Sequence, residues 1–255
     1  MFTAGVDLAA EPRGTALAVI EWSQSSARLI QLQLGVTDEP IVDIATRVDK
    51  IGIDCALGWP HDFVEFMVEY GNDSLPTRQV DGGMDWRRRL AYRHTDRYVR
   101  DVTGRWPLSV STDRLGLTAL RCAGLLTRMV AEGIHVDRSG TGVVVEVYPG
   151  ASLRRWGLDT SGYRTETRAR ARLVTALEAD APWLDVAGFQ ELIISSADAL
   201  DAVIAALAAR ASWLGLCAGP PPEYSAVARR EGWIALPDGL LAALIPPRVD
   251  GAKSP

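Results

Sequence analysis

The chain has little of what builds disulfide or soft-metal chemistry. Its three cysteines, Cys55, Cys122 and Cys217, are far apart and odd in number, which argues against a disulfide framework or a zinc cluster and for a reducing compartment. Its three histidines, His61, His94 and His135, fall into no metal-ligand spacing. No uninterrupted apolar run approaches the length that crosses a bilayer. Met1-Phe2-Thr3-Ala4 leads straight into a strand, with no basic stretch and no cleavage site. No membrane contact and no signal peptide are therefore expected, and a cytoplasmic location is. Basic residues are not in excess, and the formal net charge is −5. That speaks mildly against binding nucleic acid by bulk electrostatics, although metal ions and a local basic patch let an acidic enzyme meet phosphates. A Walker loop is missing, as is a G-x-G-x-x-G after a strand.

What is present is ordinary globular material, 47% hydrophobic and 23% charged in 255 residues. This is enough for one domain with an insertion. Segments 3–9, 15–22 and 27–34 are apolar or alternating and are separated by turn-like AEPRG and SQSS, so they read as an antiparallel meander. A helix is expected over 39–47 and a fourth strand over 50–56, stopped by Pro60. Residues 60–140 read as a helical insertion, with helices at Asp62–Tyr70, Arg87–Arg100 and Thr112–Glu132. A fifth strand follows at Gly142–Tyr148, then helices near 150–156, 165–179 and, most clearly, Ala197–Leu216. Glu231–Ile234 reads as an edge strand, and the tail 246–255 as flexible. The architecture expected is α/β, a mixed five-stranded sheet flanked by helices within residues 1–245. Helical crossovers would set strands one, four and five parallel and adjacent, with strands two and three on one edge.

Acidic residues gather at one end of that frame. Asp7, Asp54 and Glu146 each close an apolar run, and parallel strands send those ends toward the crevice where open α/β sheets bind ligands. Asp198 and Asp201, three apart on the final helix, share a face. Ala202, Ala205 and Ala208 are small enough to bring that helix close to the sheet. Carboxylates so gathered need protons or a cation, and an oxygen-only set suits Mg²⁺ or Mn²⁺. Each acid also has an ordinary reading: Asp198 as a helix-start charge, Asp201 as a solvated acid, Glu146 as the partner of an arginine. The candidate catalytic residues are thus Asp7, Asp54, Glu146, Asp198 and Asp201, with Asp7, Asp54, Asp198 and Asp201 as metal ligands.

The densest basic run, Trp86 to Arg100, places Arg89, Arg93, Arg97 and Arg100 at helical intervals beside Tyr92. Such a stripe suits phosphate contacts and base stacking; Arg89, Arg93 and Arg97 are the candidate substrate contacts. The alternatives are a solvated face or, for Arg93 and Asp96, a brace behind the acids. Arg154, Arg155, Arg164, Arg168, Arg170 and Arg172 are further phosphate candidates, although helix surfaces carry such arginines routinely.

Several motifs in order carry a resemblance: Gly5-Val6-Asp7-Leu8-Ala9, Ile53 through Pro60, Arg93-His94-Thr95-Asp96, Glu146-Val147-Tyr148-Pro149-Gly150, Asp198 through Ala202 and Glu231 through Ile234. Together they resemble the RNase H-like superfamily, and within it a bacterial family of predicted nucleases of DUF429 type. The resemblance implies a two-metal carboxylate site that hydrolyses phosphodiester bonds in DNA or RNA. In it Asp7 would bridge both ions, Asp54 would bind one, and Asp198 or Asp201 would complete the set. Cys55-Ala56 stands where that family often has Ala-Pro. Two other readings remain: a non-catalytic binding protein of the same fold, and an actin-like phosphotransferase. The latter lacks support in Leu8-Ala9-Ala10, where a Gly/Thr-rich phosphate turn would be needed.

Overall fold

Short turns between apolar segments produce the meander first. In the computed structural model, which describes residues 1–72 and 82–245, β1 (Phe2–Asp7), β2 (Ala16–Trp22) and β3 (Ala27–Leu34) pair antiparallel in sequence. Helix α1 (Asp38–Ala45) buries Ile41, Val42 and Ala45 and returns the chain to β4 (Lys50–Asp54), parallel to β1. A helical stretch follows: α2 (His61–Gly71), α3 (Met84–Ala91), α4 (His94–Thr103) and α5 (Gly116–Ala131). β5 (Val144–Glu146) then joins β4 in parallel. The remainder is α6 (Pro149–Arg155), α7 (Thr167–Asp180), β6 (Leu184–Asp185), α8 (Gln190–Ser195), α9 (Ala197–Trp213) and α10 (Ser225–Glu231).

The sheet order is β5-β4-β1-β2-β3-β6. The adjacent parallel trio and antiparallel edge are as expected, with a sixth strand added. β6 is two residues long and pairs parallel with Ala27 and Arg28 of β3, too brief to leave a pattern in the sequence. Two other expectations are corrected. The helix expected over Arg87–Arg100 is two helices, because Arg93 is extended and the Asp96 carboxylate accepts from the Arg93 backbone N–H at 2.9 Å, restarting the helix there. The edge strand expected at Glu231–Ile234 does not form: Glu231 ends α10, Gly232 and Trp233 connect, and Ile234 alone bridges Glu146 in parallel. The tail beyond residue 245 lies outside the described residues.

Two cores flank the sheet. On one face Ala4, Val6, Leu17, Val19, Ile51 and Ile53 meet α1 and α5 through Ile41, Cys122, Leu125 and Met129. On the other, α9 is buried without a break from Ala199 to Ala211, which marks a central rather than a surface helix. Its seat is made by two glycines paired across the strands, Gly5 of β1 and Gly52 of β4. A methyl group on Gly5 would lie 2.1 Å from the carbonyl oxygen of Ala202, and one on Gly52 2.5 Å from that of Ala205. The helix backbone therefore rests directly on the strands, and small residues on both sides permit it.

Candidate metal centre

That close seat decides where the acids go. Asp7 and Asp54 are register partners at the ends of β1 and β4. Each is two residues beyond its glycine, so the pleat sends both toward α9. Asp201 stands one turn into α9, capped at its start by Ser196, whose hydroxyl oxygen accepts from the Ala199 N–H at 3.2 Å. The result is a three-carboxylate cluster with one oxygen from each of Asp7, Asp54 and Asp201, all within 4.8 Å of one another. Asp201 is fully buried, Asp7 nearly so and Asp54 partly. Asp201 is thus no solvated helix acid.

Buried like charges this close disfavour ionisation. Burial, then the charges of Asp54 and Asp201, push the Asp7 carboxyl up to about 9. Burial and then Asp201 hold Asp54 well above the usual carboxylate range. Burial raises Asp201 less, to about 6, because Arg164 and Tyr163 favour its charged form. The Tyr163 hydroxyl donates to Asp201 Oδ1 at 2.9 Å. Arg164 Nη1 lies 3.0 Å from Oδ2 as an ion pair, yet that oxygen accepts no aligned hydrogen bond among the described residues. Arg170, buried in α7, fixes this corner by donating to the backbone carbonyls of Tyr163, Ile194 and Ser195.

The donor set fits a hard divalent cation: oxygens only, three carboxylates from three elements, and one buried oxygen with unused accepting capacity. Asp198 stands apart from the trio and lines, with Asp7 and Asp54, a cavity of about 530 Å³. Its charge also raises Asp7.

Glu146 reaches the border of the site with its oxygens occupied. Its register partner is Ile53, not Asp54, so the pleat turns it toward the opposite face. There Arg93 donates Nη2 to Oε1 at 2.7 Å and Nη1 to Oε2 at 2.8 Å, and the Leu57 N–H donates to Oε2 at 3.0 Å. Gly232 passes so near that a Cβ would lie 2.6 Å from Oε2. The reading of Glu146 as an arginine's partner describes this geometry. Arg93 also grips Asp96 with two donors, at 2.9 and 3.2 Å. It is 2% exposed, which removes it from any open basic stripe. Arg89 is exposed, 3.7 Å from Asp62, and Arg97 donates to the Tyr92 carbonyl at 3.2 Å. The three arginines therefore do not form one surface: the interruption between α3 and α4, at Tyr92 and Arg93, turns them apart.

Sequence reasoning missed Tyr163, which carries no motif signal and is identified only by its contact with Asp201. It also missed Glu231, whose buried carboxylate accepts from the His61 and His94 N–H groups at 2.7 and 2.8 Å and faces His94 Nδ1 at 3.0 Å. One acid thereby anchors the starts of α2 and α4, where the helix dipole favours negative charge. All three cysteines are free thiols. No helix among the described residues is long and apolar enough to cross a membrane.

Comparison with known proteins gives no match to a curated protein and none to a solved structure. Residues 5–225 match one family, and that span holds Asp7, Asp54, Asp201, Tyr163 and Arg164. The chain belongs to the family described as "Protein of unknown function (DUF429)".

Proposed function

We propose that this protein is a divalent-cation-dependent hydrolase of phosphodiester bonds in nucleic acid. The observation that carries the proposal is the convergence of Asp7, Asp54 and Asp201 oxygens within 4.8 Å in a buried setting. Asp7, Asp54 and Asp201 would hold Mg²⁺ or Mn²⁺, and Asp198, on the same cavity wall, would serve a second ion. When bound, such ions supply an activated water and neutralise charge on the phosphoryl oxygens. The chain's own residues do the rest. Tyr163 orients Asp201, Arg164 brings positive charge to the rim, and Arg93 with Glu146 fixes α4 against β5 beside the cluster. The three-strand meander beside parallel strands is the arrangement that the RNase H-like resemblance implies, and it supports the same reading.

Calorimetric titration with Mn²⁺, paired with an assay on single-stranded and duplex DNA and RNA, tests this. Wild type should bind Mn²⁺ and cleave; Asp7→Asn should lose both while remaining folded by circular dichroism. Equal Mn²⁺ affinity in the two proteins would sink the assignment.

A further inference from the structure

The cluster does not lie on an open face, and this bears on what can reach it. Two of its acids, Asp7 and Asp54, form part of the wall of a cavity of about 530 Å³, within the roughly 300–1,000 Å³ range of small-molecule sites. Other wall residues come from separate connections: Leu8 after β1, Leu108, Arg114 and Leu115 between α4 and α5, Tyr148 after β5, and Arg164 before α7. The wall is chemically divided. Leu8, Leu108, Leu115 and Tyr148 offer apolar and aromatic surface, which suits a base or sugar. Arg114 and Arg164 offer cations. Arg114 is exposed and makes no ion pair or hydrogen bond with another described residue, so its guanidinium is available to a phosphate.

A duplex presents its phosphates on a convex, rigid surface, one about every 3.4 Å of axis per strand. Docking it broadly needs an open basic track of several arginines or lysines. Here Arg93 is buried, Arg97 is turned to the Tyr92 carbonyl, and of the acids the phosphate must reach Asp201 is fully enclosed and Asp7 nearly so. A single nucleotide unit meets no such obstacle.

We infer that the cavity takes one nucleoside phosphate unit at a time, with its phosphate between Arg114, Arg164 and the acid cluster, so that the substrate is a small nucleotide ester or the terminus of a single strand rather than an internal duplex bond. The inference rests on the hydrolase reading above and names its substrate class. In the reaction, water oxygen bonds to phosphorus, the ester P–O bond breaks, and the departing alcohol takes up a proton.

The full-length protein with Mn²⁺ is given four substrates: thymidine 5′-(p-nitrophenyl phosphate), a linear single-stranded oligonucleotide, the same oligonucleotide circularised, and a covalently closed duplex circle. The first two should be hydrolysed and both circles left intact. Cleavage of either circle at a rate comparable to the linear strand overturns the inference while keeping the hydrolase reading. A binding arm uses thymidine 5′-monophosphate and Mn²⁺ in calorimetry, where Arg114→Ala, a surface change, should weaken the nucleotide roughly tenfold without altering Mn²⁺ affinity. Nucleotide binding without hydrolysis of any substrate would sink the catalytic reading and support the site. No nucleotide binding, or binding indifferent to Arg114, overturns the site itself.

Discussion

Gly5 shows how far one missing side chain governs the site. A Cβ there would lie 2.1 Å from Ala202 O and 2.2 Å from Ala206 N, both backbone atoms that no rotamer change can move aside. Gly5→Ala therefore has to lift α9 from the sheet. Overpacking costs about 1–3 kcal/mol where side chains can yield, so the expected loss is at the top of that range or beyond. Because Asp201 travels with α9, Mn²⁺ affinity should fall as well. Gly124 gives the opposite case in the same molecule. It is exposed within α5, and a Cβ added there would have nothing within 4 Å beyond its chain neighbours and the helix's own nearby backbone. Gly124→Ala should stabilise by about 0.5–1 kcal/mol, since alanine is the better helix former and loses less entropy on folding. Urea denaturation of the two variants checks both signs, and similar shifts for the two would show that contact with α9 does not limit residue 5.

At the scale of elements, Arg93 couples α4 to β5. It is the cation shared by the buried Asp96 and Glu146, and Arg93→Met would leave two enclosed carboxylates without it. Breaking such a buried set costs about 3–5 kcal/mol, to be measured as a fall in the denaturation midpoint; a change under about 1 kcal/mol would mean the acids are satisfied without the arginine. Much of the arrangement of elements is legible in the sequence. Strand ends and crossovers can be read because β1, β4 and β5 are apolar runs closed by acids, and parallel pairing follows from the helices between them. The alanine face at 202 and 205 foretells a close α9, and Asp7, Asp54 and Asp201 do meet. Glu146 is expected at the correct end but not on the correct face. Its pleat parity follows Ile53, and register across strands is a tertiary fact that no single segment states. The break before α4 depends on Asp96 capping Arg93, a local competition that helical spacing of arginines conceals. Tyr163 lies in a connection, and only the fold brings it to Asp201.

For the whole molecule, the enclosed acids tie stability to pH and cation together. Without a divalent ion, the native state holds protons on Asp7 up to about 9 and on Asp201 up to about 6, with Asp54 also raised well above its ordinary value. An unfolded chain releases the same protons at about pH 3.9. Between those limits the unfolded state binds fewer protons, so stability is full below about pH 4 for these groups and declines as pH climbs toward about 9. Melting temperature in EDTA should accordingly fall from weakly acidic to alkaline buffer. Asp7→Asn, which removes the carboxyl held up to about 9, should flatten much of that slope. A cation that binds the ionised carboxylates reverses the penalty, so added Mn²⁺ should raise the melting temperature more at about pH 8 than at about pH 5. Binding must also expel the retained protons, which makes the calorimetric heat depend on the ionisation enthalpy of the buffer. A melting temperature in EDTA that is indifferent to pH, together with buffer-independent binding heats, would mean that the three carboxylates are already ionised in the native protein, and that no metal is needed to reconcile them.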